Sequence, residues 1–204
     1  VVSLGSDLPS SDREHFVGID NVAAGRTAAQ LMGRFVRGTG RILVITGSRL
    51  ARDHVERRAG FDAVMREEFP GLDVVASIEG RDDPALIQKM LPDIFDAYAD
   101  ICGIYSSAAG NPGLIRYLEE TGRQKALVVV AHELTPVSRD ALEEGTIDAI
   151  ISQDTGHLVR SATRLLKAPA DQAPFDATQE RIRIDIYLRE NIPTAHVPKR
   201  EETA

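Results

Sequence analysis

Arg41-Ile42-Leu43-Val44-Ile45-Thr46 is a short apolar run that ends in a polar loop over 47–52 and is followed by a charged segment of helical length over 53–69. Consecutive apolar residues over so few positions fit a strand covered on both faces, the situation of a parallel sheet. The same unit recurs on both sides. Toward the C-terminus, Pro70-Gly71 turns into a strand over 72–76, and Asp83-Pro84 supplies a helix cap and a first helical residue. That helix should kink or split at Pro92, which lacks an amide hydrogen. Strands over 101–105, 126–131 and 147–151 then alternate with helices over 112–120, 136–144 and 156–166. Toward the N-terminus, strands over 1–4 and 16–19 precede Asp20-Asn21, which caps an amphipathic helix to about Val36 with Val22, Ala29, Met32 and Val36 at helical spacing. Right-handed connections between such units make a doubly wound parallel α/β sheet the expected fold. Residues 169–179 read as a linker, 181–188 alternate as an edge or surface strand, and the chain beyond Pro193 reads as a loose tail.

The 204 residues, 43% hydrophobic and 27% charged, suffice for one core or two small lobes. A net charge of -7 and a pI near 5.3 set the surface against a phosphate backbone, so any contact with DNA needs another segment. Cys102, in Asp100-Ile101-Cys102-Gly103-Ile104, reads as strand core and has no cysteine to pair with. No apolar run approaches the ~20 residues of a membrane span, and no basic-then-apolar leader opens the chain, so a cytoplasmic location is expected. The strand-like start at Val1, without Met, reads as a piece whose sheet began upstream.

In such a sheet ligands bind beyond the carboxyl ends of the strands, so the loops there name the chemistry. Gly38-Thr39-Gly40 precedes a strand instead of following one, the reverse of a dinucleotide fingerprint. His15, His54, His132, His157 and His196 lack metal-ligand spacing, and no cofactor or metal is expected. Ser106, Ser107, His132, Glu133 and Asp154 all follow strands and could form a hydrolytic site, although the flanking glycines of a nucleophile elbow are missing. The other reading is a polar cleft for a neutral, hydroxyl-rich ligand, furnished by Asp7, Arg52, Asp53, Arg57, Glu133 and Gln153. Capping and surface pairing compete with that role for Arg52, Asp53 and Arg57, and core packing competes with sugar stacking for Tyr105.

Phe16-Val17-Gly18-Ile19-Asp20-Asn21 with Gly25, Gly40-Arg41-Ile42 to Gly47, and Arg57-Arg58-Ala59-Gly60-Phe61 resemble the effector-binding region of the lactose-repressor (LacI/GalR) family of bacterial transcription regulators. So do Gly103-Ile104-Tyr105-Ser106, Val129 through Thr135, and Ile151-Ser152-Gln153-Asp154. The resemblance implies a periplasmic-binding-protein-like type I fold of two α/β lobes closing on a sugar or polyol effector. It places 16–152 and 180–193 in a nearly complete second lobe, 1–15 and 155–175 in a partial first lobe, and 194–204 in the tail. Arg57 matches the family arginine that grips sugar hydroxyls. Glu133 stands where an aspartate is usual, Gln153 matches a strand-end Gln-Asp pair, and Ser106 replaces a common asparagine. Asp7 falls in a first-lobe ligand loop, and Arg52, Asp53, Tyr105 and His132 complete the expected ligand set. The implied assembly is a homodimer that reaches operator DNA through a domain outside this chain and senses its effector by lobe closure. Alternatives are the sugar-binding protein of an ABC transporter and, third, a hydrolase acting on a sugar derivative.

Overall fold

The computed structural model describes residues 1–75, 77–172 and 182–194. A short parallel pair opens the chain: β1 (Val2–Leu4) lies beside β2 (His15–Val17), with Val2 opposite His15. Helix α1 (Asn21–Phe35) starts where the Asp20 carboxylate accepts the Ala23 amide, satisfying one of the free donors of a helix start. The units that follow are β3 (Gly40–Thr46) and α2 (Arg52–Glu68), then β4 (Leu72–Val74), β5 (Ile78–Glu79) and α3 (Pro84–Ala97). Next come β6 (Ile101–Ser106), α4 (Asn111–Glu120), β7 (Val128–His132), α5 (Pro136–Glu144) and β8 (Ala149–Gln153). The last are α6 (Thr155–Ala170) and β9 (Ile184–Tyr187).

Among the described residues the larger sheet has seven strands in the order β4-β3-β6-β7-β8-β9, with β5 also beside β3. All pairs are parallel except β8 with β9, which is antiparallel and forms an edge. From β3 the chain first builds outward to β4 and β5, then crosses to β6 on the other side. That reversal between β3 and β6 opens a crevice at the carboxyl ends, where open α/β sheets take their ligands.

Both faces are covered, as the run at 42–45 requires. Leu43 and Ile45 face a core with Ile87, Leu91, Leu114, Leu118 and Leu142 from α3, α4 and α5. Ile42 and Val44 face Ala24, Ala28 and Met32 of α1 and Phe61, Val64 and Met65 of α2. Each of those four strand residues is at most 1% exposed, and burying such a side chain contributes about 1.5–3 kcal/mol. Helix α6 lies against β1 and β2.

Helices α1 and α2 approach backbone to backbone. A Cβ added at Gly25 would stand 1.9 Å from the Arg57 carbonyl oxygen, and one at Gly60 2.2 Å from that of Val22. Only glycine permits this approach, and it seats Arg57 beside the start of α1.

The structure departs from the sequence reading in places. Of the two outcomes expected at Pro92 the split does not occur: α3 runs on as one helix, with Ile87, Leu91 and Phe95 on either side of it buried against the sheet. The strand expected over 72–76 ends at Val74, and the chain rejoins β3 at β5, which the sequence reading did not include. Pro169 lies in the last turn of α6, although the linker was expected to begin there. Residues 173–179 of that linker and 195–204 of the tail lie outside the described residues.

Candidate functional site

Arg57 is the centre of the crevice, held in the second turn of α2 by the close contact with α1. Its Nε donates to Asn21 Oδ1 at 2.9 Å, and its Nη1 donates to the Ser107 carbonyl at 2.9 Å, joining the start of α1 to the end of β6. The third nitrogen lies 4.0 Å from Asp53 Oδ2, one turn earlier in α2. Arg57 is only 5% exposed. Asp53 in turn accepts Ser6 Oγ at 2.9 Å, which ties the loop after β1 to α2. Its other oxygen is 3.6 Å from His54 Nε2, and His54 Nδ1 accepts the Ser48 amide at 3.0 Å, so the neutral ring carries its proton on Nε2.

Glu133 follows β7 with φ +66°, in the left-handed region. Its amide donates to the Ile151 carbonyl, and its own carbonyl accepts Ser138 Oγ at 2.7 Å, so the start of α5 and the end of β8 hold the unusual backbone in place. The carboxylate accepts Gln153 Nε2 at 3.1 Å and Ser152 Oγ at 3.4 Å, both from the end of β8. Burial pushes the Glu133 carboxyl above the usual range, opposed by the Arg57 charge and those two donors. Gln153 Oε1 is buried without a hydrogen-bond partner.

Beneath this shelf lies an apolar floor with one polar pair. Tyr105 Oη and His132 Nε2 are 2.9 Å apart, and the Tyr105 ring stacks on Phe61 at 4.5 Å between centroids. Burial and then the charge of Arg57 hold His132 well below its ordinary titration range, so the ring is neutral. Burial raises the Tyr105 phenol. The Arg57 charge acts on Tyr105, His132 and Glu133 alike, which places these groups around one guanidinium.

The expected site residues therefore divide. Arg57 and Asp53 stand in the first turns of α2, and Glu133 and Gln153 at the ends of β7 and β8, with the Arg57 charge felt by Glu133. Tyr105, 0% exposed, packs on Phe61 as core and is not free to stack on a ligand; His132 is buried with it. Ser106 donates to Asn111 Oδ1 at 2.7 Å, and Asn111 Nδ2 donates to the His132 carbonyl at 3.0 Å, so this hydroxyl braces two strand ends. Arg52 pairs with Glu56 at 2.6 Å on the exposed side of α2. Asp7 is engaged by Arg13, Ser3 and the Leu8 amide within its own loop, and its carboxyl is lowered chiefly by Arg13.

The hydrolytic arrangement is not formed. Ser107 Oγ donates to the Ile45 carbonyl, Ser106 to Asn111, and His132 Nε2 faces Tyr105, so neither serine meets a base. Asn21 and Asn111 are the functional neighbours that the sequence reading missed. Each stands at a helix start after a strand, where an amide side chain passes for a cap. A hollow of ≈ 250 Å³ between Thr46, Ser48, His54, Arg58 and Ser77 lies on the other side of α2 and includes neither Arg57 nor Glu133.

The raised Glu133 carboxyl has a consequence for stability. Between its ordinary value and its raised one the folded chain holds more protons than the unfolded chain, so stability falls as pH rises through that window. Glu133→Gln removes the penalty and is expected to melt higher than wild type at about pH 7, by on the order of 2 °C, with the gain fading at about pH 4. Thermal melts of both proteins at the two pH values check this.

A family model described as a periplasmic binding protein domain matches residues 1–173. The fold superposes on a glucose-galactose binding protein from Geobacillus stearothermophilus with TM-score 0.87 and 23% identity, over 95% of this chain and 69% of that one. It also superposes on the sugar-binding protein of a sugar ABC transporter from Bacillus halodurans, with TM-score 0.81, 26% identity and coverage of 93% and 69%. A third match is an ABC transporter solute binding protein from Burkholderia graminis in complex with D-arabinose, with TM-score 0.83, 27% identity and coverage of 91% and 65%. No curated protein is significantly similar in sequence.

Proposed function

The chain belongs to the periplasmic binding protein domain family, and from that premise we propose that it is the sugar-binding part of a solute receptor serving an ABC transporter. The observation that carries this reading is the crevice itself: Arg57, Asp53, Glu133 and Gln153 offer planar donor and acceptor groups at the ends of β7 and β8 and the start of α2. Adjacent sugar hydroxyls each donate and accept, and such groups meet them two at a time. The two solved sugar-transport proteins at 26% and 27% identity support transport over regulation.

On this reading β1, β2 and α6 belong to one lobe and the larger sheet to the other, joined where Ser6 meets Asp53. A sugar bridging the lobes favours the closed form by its differential affinity, and a transporter recognises that form.

The regulator reading keeps one support, the succession of residues from Phe16 to Asp154 that resembles the lactose-repressor family. It implies a cytoplasmic homodimer and operator DNA bound through a further domain, whereas the transport reading implies export. Cell fractionation separates the two: recovery outside the cytoplasm supports the receptor, and cytoplasmic recovery with operator binding overturns it.

The direct test is titration of the protein with a panel of neutral pentoses and hexoses, read by calorimetry. Saturable binding of at least one without turnover is expected. Silence toward the whole panel, or consumption of a bound sugar, overturns the proposal.

A further inference from the structure

Resting on the sugar-binding reading, we infer that Glu133 sets the charge class of the ligand, so that the crevice accepts neutral and aminated sugars and rejects sugar acids and sugar phosphates.

The crevice holds two carboxylates, Asp53 and Glu133, against one buried guanidinium, since His132 is neutral. That guanidinium is largely spent: Nε serves Asn21, Nη1 serves the Ser107 carbonyl, and the remaining nitrogen faces Asp53. An incoming anion therefore meets a guanidinium whose donors are already engaged. Arg52 is committed to Glu56 and Arg13 to Asp7. Further out, Asp20 stands exposed at the start of α1 and adds negative charge to the rim, while Asp154 at the start of α6 is paired with Arg160 at 3.6 Å.

Glu133 also cannot swing aside from an anion. Its left-handed backbone is fixed by the Ile151 carbonyl and Ser138, and its carboxylate by Gln153 and Ser152. The spare capacity around it is largely accepting, as the unpartnered Gln153 Oε1 shows. A ligand that satisfies this shelf brings donors: hydroxyls or an ammonium group. Asp53 is less suited to the gating role, because Ser6 and the neighbouring Arg57 and His54 already occupy its oxygens.

The test is calorimetry on the full chain with one hexose, its 2-amino analogue and its 6-carboxylate analogue, the hexose chosen from the neutral panel as a binder. For wild type the uronate is expected to bind at least about 100-fold more weakly than the hexose, the scale of a like-charge contact in a partly screened site. The amino sugar is expected to bind as well as the hexose or better. In Glu133→Gln the gap between hexose and uronate is expected to shrink to about 10-fold or less. Glu133→Asp, which keeps the charge, should keep the gap. Far-ultraviolet circular dichroism confirms that the variants are folded, and a Gln variant that fails to fold leaves the decision to the wild-type ratio and the Asp variant. A uronate that binds wild type as tightly as the hexose, or a gap that Glu133→Gln leaves unchanged, overturns this inference while sparing the sugar-binding reading. Absence of binding by every sugar overturns both.

Discussion

Arg57→Ala is expected to abolish the rise in melting temperature that a bound sugar produces, and to lower the melting temperature of the unliganded protein as well. The side chain is almost wholly buried and joins the start of α1, the end of β6 and the first turn of α2. Its removal leaves the Asn21 amide oxygen and the Ser107 carbonyl without this donor, and the Asp53 carboxylate without its neighbouring positive charge. Breaking a buried ionic cluster from one side costs about 3–5 kcal/mol, so a loss of this order is expected in denaturant unfolding. The ligand loses its charge-assisted contact too, worth about 1.5–3 kcal/mol, which lowers affinity by about 10-fold to 100-fold before any rearrangement is counted. Arg57→Lys should recover part of the stability but little of the binding, since an ammonium cannot reproduce the planar fork. Melting curves with and without sugar, together with calorimetric titration, measure both effects. A variant that responds to sugar as wild type does would place the ligand elsewhere.

Gly25→Ala is expected to act almost as strongly without touching any ligand-facing group. The new methyl group would meet the Arg57 carbonyl oxygen at 1.9 Å, and because that atom is backbone, α1 and α2 must separate. Overpacking of this kind costs about 1–3 kcal/mol, and here the separation moves Arg57 away from Asn21. Affinity should therefore fall together with stability. Gly122→Ala is the control. Gly122 has φ +66° with open space around its Cβ position, so alanine there is strained but far from the crevice. It should lower the melting temperature modestly and leave sugar affinity intact. Equal affinities for Gly25→Ala and wild type would mean that the helix contact does not position the site.

These two glycines show what is legible in the sequence and what is not. The alternation of strands and helices can be read directly, because residues such as Ile42 to Ile45 are buried on alternate faces and leave no polar position. Arg57 can be placed at the strand ends from its distance to β3 and from the Arg-Arg-Ala-Gly-Phe segment. Its partners cannot be placed so, since Asn21 and Ser107 lie 36 and 50 residues away. Ser106 shows the limit most plainly. Its position after β6 suggested a ligand contact, yet its hydroxyl is committed to Asn111, a residue whose place at the start of α4 conceals that role. Tyr105 likewise sits one residue from a ligand-facing loop but on the face that α1 and α2 cover. Regulator and transport receptor resemble each other in the sequence because both readings rest on the same sheet edge and the same polar set. Nothing in the spacing of Arg57, Glu133 and Gln153 tells what the closed form addresses.

The central claim is that a sugar rests on the carboxyl ends of the sheet, on Arg57 and Glu133. A crystal structure of the protein with the tightest-binding neutral sugar tests it most directly. The account predicts sugar hydroxyls within hydrogen-bonding distance of the Arg57 guanidinium and the Glu133 carboxylate, with the ring above Tyr105 and His132. A sugar seated in the hollow beside His54 and Ser77, with the crevice around Arg57 left to solvent, would contradict it.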